Sequence, residues 1–215
     1  MFGSSRKKPG AKINRSEVLA AADKLRVKGK YARAVEEYRK ALQLDPADAD
    51  VLAKIAPLLA KLGKRDEALH DFRAAADSYV ERGFVDRAVS VYTQAATAYP
   101  KEASLWETLG QLHQERGRRA DGIKALLAGA AHCKGKEGRP AALKLLRQAL
   151  EYDSLHIDAT VALARLLKAD GQRAAARTLL DELSGGIRGP ARKRLLAARF
   201  KLFPGPASLF HWLRA

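Results

Sequence analysis

One helical signature recurs along the chain and constrains the fold more than anything else. Trp106, Leu109, Gly110 and His113 stand at i, i+3, i+4 and i+7, the spacing that lines one side of an α-helix. The spacing returns at Val18, Ala21, Ala22, Leu25, at Leu52, Ile55, Ala56, Leu59 and at Phe72, Ala75, Ala76, Tyr79. It returns again at Leu126, Gly129, Ala130, Cys133 and at Thr160, Leu163, Ala164, Leu167. Small residues such as Ala22, Ala34 and Ala41 leave room for paired helices to approach closely. A chain built this way stacks copies of one unit, each burying its apolar side on a neighbour.

The distances between copies refine the picture. Ala68 and Ala88 both take the small-residue slot of a second helix, yet they are 20 apart and not 34. The helix around 65–82 must therefore close one repeat and open the next, and the helix around 119–134 does the same. The result is a three-helix unit at an offset of 54, over 49–100 and 103–154. Leu52 then matches Trp106, Ile55 matches Leu109, Gly63 matches Gly117, Ala88 matches Ala142 and Pro100 matches Ser154. A third, altered copy starts at 157, with Thr160, Leu163, Gly171, Ala176 and Leu180 in step. Its loop at Ser184-Gly185-Gly186-Ile187 is expected to shorten, and Pro190 to open the last long helix as Pro140 opens its counterpart. Ahead of these units, Gly29 is placed to end the first helix and Asp45-Pro46 the second.

Composition adds limits on function. Ala and Leu dominate a 47% apolar content, which favours helix over strand. The formal net charge of +16 sits at the ends. Residues 1–15 carry Arg6, Lys7, Lys8, Lys12 and Arg15 without an acid, and 184–215 carry Arg188, Arg192, Lys193, Arg194, Arg199, Lys201 and Arg214 without one. The stretch 16–183 holds the other 28 basic residues against 24 acids. Such ends suit an acidic protein surface, with nucleic acid or an anionic membrane as the second choice. The single Cys133 excludes an intrachain disulfide and a thiolate zinc cluster and fits a reducing compartment. No apolar run reaches the length of a membrane span, and residues 1–12 lack a leader's apolar stretch, so a soluble, cytoplasmic protein is expected.

No enzyme is expected. The five histidines form no metalloprotease motif, and adjacent His132 and Cys133 point about 100° apart on a helix. No cofactor, metal or small-molecule substrate is implied. His113 takes the slot of Leu59, as a packed histidine with one hydrogen bond, and Cys133 takes that of Tyr79 as a small packed residue. Pro57 interrupts a helix and is read as a kink on its solvent side. Trp106 is read as a packing residue.

The W-x-x-L-G phrase at Trp106, Leu109 and Gly110, with KLRVKGKYARAVEEYRKALQLDP and SYVERGFVDRAVSVYTQAATAYP, resembles the tetratricopeptide repeat family over about 15–200. It is similar to repeat proteins predicted in delta-proteobacteria. The resemblance implies an all-α, right-handed solenoid of about twelve antiparallel helices acting as a protein-interaction scaffold in a bacterium. Its expected parts are a flexible basic arm over 1–14, the solenoid over 15–187, and a basic capping helix with an apolar tail over 188–215. The resemblance also implies a concave groove lined by first helices, here through Asp23, Arg26, Lys61, Arg73, Asp77, Glu107, Gln111, Gln114, Arg165 and Lys168. The subclass that clamps a C-terminal carboxylate needs asparagines in that groove. This chain's one asparagine, Asn14, lies outside the repeats, so that reading is rejected.

Overall fold

The structure, a computed structural model, describes residues 14–205. The readings of Arg6, Lys7, Lys8 and Lys12 in the arm, and of Leu209, Phe210, Trp212, Leu213 and Arg214 in the tail, lie outside the described residues. Those described form eleven helices and no strand. They are α1 Arg15–Val27, α2 Tyr31–Leu42, α3 Ala49–Lys61, α4 Arg65–Glu81, α5 Val85–Ala98, α6 Ala103–Glu115, α7 Arg119–His132, α8 Gly135–Tyr152, α9 Ile157–Ala169, α10 Arg173–Gly186 and α11 Gly189–Leu202.

The helices begin where side chains satisfy orphan amides. Asp48 accepts from the Val51 amide ahead of α3, and His156 Nδ1 accepts from the Ala159 amide ahead of α9. Asn14 caps α1 through Ser16. Gly63, Gly117 and Gly171 end α3, α6 and α9 in the left-handed conformation, at φ of 74°, 70° and 82°.

The chain divides into two compact units between Ala98 and Tyr99. In the first, α1 to α5 pack consecutively, and α3 also touches α5. Its core holds Ala22, Ala34, Tyr38, Ile55, Leu59, Phe72 and Ala75, none more than 1% exposed. In the second, α6 to α11 pack consecutively, with α6 also against α8 and α9 against α11. One cluster there gathers Leu126, Leu145 and Ala149, and another gathers Leu163, Leu180, Leu195 and Phe203.

Helices α3, α6 and α9 start at 49, 103 and 157, and α4, α7 and α10 at 65, 119 and 173, so one offset of 54 carries start onto start. Third helices depart from this in one place. Helix α8 starts at Gly135, so Pro140 lies inside it and does not open it. The cause is local: Gly135 turns the chain at φ 80°, and Gly138 passes the Cys133 backbone so closely that a Cβ there would sit 2.7 Å from it. Nor does the loop after α10 shorten. Ser184, Gly185 and Gly186 belong to α10, and two residues, Ile187 and Arg188, lead to Gly189 at φ 62°, as Cys133 and Lys134 lead to Gly135. The counterpart of Gly135 is Gly189, and Pro190, in the first turn of α11, is not the counterpart of Pro140.

Other details also differ from expectation. Helix α2 ends at Leu42, three residues before Asp45. Ala21 is exposed, and Val18 and Leu25 are half-buried, since α1 packs chiefly on α2. Trp106 is half-buried, while Leu105 beside it is 1% exposed. His113 is half-buried with its Nδ1 lacking a hydrogen-bond partner among the described residues. Cys133 is buried, and burial pushes its thiol pKa up.

Candidate partner-binding seams

Each three-helix set has the same construction: its first and third helices run side by side over the second. Consecutive helices joined by short connections are antiparallel, so the first and third are parallel. An ion pair bridges them in every set. Arg87 of α5 meets Asp50 of α3 at 3.1 Å, Lys144 of α8 meets Glu107 of α6 at 2.6 Å, and Arg194 of α11 meets Asp158 of α9 at 3.5 Å. Beyond the first two pairs the seam between these helices holds a hollow open to solvent.

In the first unit this seam holds a cavity of about 450 Å³. Pro57, Ala60 and Lys61 form one wall, Phe72 the floor, and Thr93, Gln94, Thr97 and Ala98 the other wall. Thr93 and Thr97 hydroxyls donate to the carbonyls of Val89 and Thr93, which leaves the cavity mainly apolar. Pro57 is thus half-buried at a cavity wall, whereas a solvent-side kink was expected. In the second unit the α6–α8 seam holds about 330 Å³ among Glu107, Pro140, Lys144, Arg147, Gln148 and Glu151. A third hollow, about 480 Å³, lies along α4 over Asp66, Leu69, His70, Arg73, Ala74 and Asp77.

The residues singled out in the sequence fall into three groups. Some are tied internally. Asp23 accepts from the Tyr38 hydroxyl at 2.6 Å and from Lys54 at 3.1 Å, and Arg26 lies 3.3 Å from it. The Tyr38 hydroxyl, then Lys54, holds the Asp23 carboxyl below its ordinary pKa against the effect of burial. Burial and Asp23 push Tyr38 up to about 12. Asp77 accepts from Tyr92 at 2.7 Å, one period further on. Glu107 is paired with Lys144, and Lys168 donates to the Leu202 carbonyl at 2.6 Å beside the Phe203 ring. Arg199 pairs with Asp181 at 2.7 Å.

In a second group Lys61 and Arg73 line hollows, while Gln111 and Gln114 stand on α6 apart from the residues that line its hollow. Lys61 stands over the Tyr31 ring at 4.8 Å and on the first cavity, while Arg73 lines the α4 hollow. Gln111 donates to Glu115 at 3.1 Å. Gln114 is half-buried, and its Oε1 is shut off from solvent with no donor. The third group, Arg165, Arg188, Arg192, Lys193 and Lys201, is exposed and has no side-chain partner among the described residues.

Third-helix residues line the hollows too, whereas sequence reasoning placed the groove on α1, α3, α4, α6 and α9. Lys144, Arg147, Gln148 and Glu151 stand at i, i+3, i+4 and i+7, a polar stripe on α8 that marks the other wall. Among the described residues no group of His, Cys, Asp and Glu could hold a metal ion, and no helix is long and apolar enough to cross a membrane.

Three family models for the tetratricopeptide repeat match the chain, over residues 22–63, 73–137 and 139–198. The chain carries tetratricopeptide repeats. Such repeats generally mediate protein–protein contacts. No curated protein matches the chain in sequence. Similar solved structures include a tetratricopeptide repeat protein from Parabacteroides merdae, at 16% identity over 92% of this chain and 89% of that one, TM-score 0.33. MamA from Desulfovibrio magneticus RS-1 is 14% identical over 80% and 95%, TM-score 0.33. Pseudomonas aeruginosa pilF is 18% identical over 93% and 87%, TM-score 0.29. At these scores the likenesses carry no further argument.

Proposed function

We propose that this chain is a non-catalytic scaffold whose tetratricopeptide seams receive a segment of a partner protein in a reducing, cytoplasmic setting. One observation carries the reading. Gln114 on α6 and Gln148 on α8 each have an Oε1 shut off from solvent with no donor. A buried acceptor left unpaired costs about 1–3 kcal/mol. Gln148 lines the α6–α8 hollow, and Gln114 holds the position that Ala60, a wall residue of the first cavity, holds one period earlier. Turning the two side-chain amides outward on binding lets backbone N–H groups of an extended peptide supply the missing donors.

The test is site-specific photo-crosslinking in cells. A photoreactive residue at Gln111, the counterpart of the cavity-wall Pro57 one period earlier, should capture a discrete protein partner. The same residue at exposed Lys124 on α7 should not. Gln114→Leu with Gln148→Leu should weaken the Gln111 adduct while leaving the fold intact by circular dichroism. Adducts of equal strength from both positions would refute the seam as the binding surface. The alternative, nucleic-acid or anionic-membrane association through the basic ends, would show as nucleic acid or lipid in the Gln111 or Lys193 adducts.

A further inference from the structure

The last seam differs from the other two in charge. Seven residues beyond the Asp158–Arg194 pair on both helices stand Arg165 of α9 and Lys201 of α11. Parallel helices rise equally, about 1.5 Å per residue, so these two cations share a level across the seam. In the first unit Pro57 and Thr93, seven and six residues beyond the Asp50–Arg87 pair, line one cavity in the same place. Lys168, the counterpart of Ala60, stands at the seam's end. Its ammonium spends one N–H on the Leu202 carbonyl and keeps two.

Among the described residues Arg165 and Lys201 have no acidic partner. Residues 184–205 contain no acid. Asp158, Asp170 and Asp181 are already paired with Arg194, Arg139 and Arg199. Like charges facing across packed helices repel, and a bound anion relieves the repulsion.

We propose that the α9–α11 seam is a carboxylate-receiving groove that takes Asp and Glu side chains of an acidic segment of the partner protein between Arg165, Lys168 and Lys201. This deepens the scaffold reading and rests on it. Protein carboxylates fit better than nucleic acid here. Single strands bind through exposed rings on which bases stack, and of the rings described on and after α11, Phe200 is half-buried and Phe203 is buried between Lys168 and Arg177.

The test uses the full chain and a fluorescein-labelled oligoglutamate peptide at about 0.15 M salt, where distant charges are screened. Arg165→Gln with Lys201→Gln should weaken binding about tenfold or more, from two lost charge-assisted contacts. Arg192→Gln with Lys193→Gln removes the same charge outside the seam and should cost less than about threefold. Arg165→Glu should abolish binding and raise the melting temperature, since it faces Lys201 with an opposite charge. Equal losses in the two double variants would overturn the groove in favour of bulk attraction. Tighter binding of an oligodeoxythymidylate of matched charge would overturn the choice of a protein ligand. Loss of the groove leaves the Gln111 crosslink untouched, whereas failure of the scaffold reading removes that crosslink first.

Discussion

At the scale of residues, the repeats trade volume across one contact. In the first unit Leu52 and Ala75 are both buried, and at the same positions one period on Trp106 lies over Gly129, where an added Cβ would meet the indole at 2.5 Å. Two periods on, the same positions hold Thr160 and Leu183, both buried. Gly129→Ala should therefore cost about 1–3 kcal/mol by overpacking. Trp106→Leu in the wild-type background should cost about 2 kcal/mol, below the range for a fully buried ring. Combined, they restore the Leu–Ala pairing of the first unit, and urea denaturation should show a double variant clearly more stable than the sum of the singles. Strict additivity would disprove the contact. The Tyr38–Asp23 bond gives a second expectation. Tyr38→Phe should lose about 1 kcal/mol, a typical net hydrogen bond. Tyr38 titrates higher folded, about 12, than its ordinary 10.0, and Tyr79 does likewise beside Asp50. Their stabilisation is thus whole below pH 10 and is lost as pH rises from 10 to 12. Asp23 has the opposite sense: its depressed carboxyl stabilises above its ordinary value of 3.8 and is lost as pH falls below it. Melting temperatures across these windows should fall at both ends, and less steeply on the alkaline side in Tyr38→Phe.

At the scale of elements, helix existence was legible because apolar spacing is a direct image of burial, as Ile55, Leu59, Phe72 and Leu109 show. Helix starts were less legible. Pro140 was taken as a boundary because proline favours the first turn, yet left-handed Gly135 sets the start five residues earlier. The site was legible on one wall only. First-helix residues Lys61 and Glu107, expected in a concave groove, stand on hollows, while Thr93 and Gln148 went unseen because sequence does not show which faces two non-neighbouring helices share. Whether a charged residue is tied, like Asp23, or open, like Arg165, depends on side-chain reach and is not written in spacing. Glycine positions test the boundaries themselves. Gly171→Ala, at φ 82°, should destabilise by about 1 kcal/mol, since a Cβ disfavours that conformation. Gly185→Ala lies within α10 with open space around it and should stabilise by about 0.5–1 kcal/mol. If thermal melts gave the two changes the same sign, the end of α10 would be misplaced.

At the scale of the whole molecule, charge is uneven. Residues 14–98 hold 15 basic and 13 acidic residues, and 99–205 hold 20 and 11. Self-repulsion of a chain at +16 should ease when salt is added to a dilute buffer, so the melting temperature should rise over the first tenth molar or so. A fall would mean that ion pairs such as Glu107–Lys144 outweigh repulsion. Stacked repeats also localise damage. In Gly129→Ala, hydrogen exchange should quicken most in α6 to α8 and less in α9 to α11. The fixed start-to-start distance of α3, α6 and α9 has one more consequence. The four residues before α6, Tyr99 to Glu102, are matched in number by the four before α9, Asp153 to His156. Excising 103–156 would join α5 to α9 with the helical phase preserved. The length of such a chain is quantised: it can grow or shrink by whole cassettes, and each cassette carries its own binding chemistry with it.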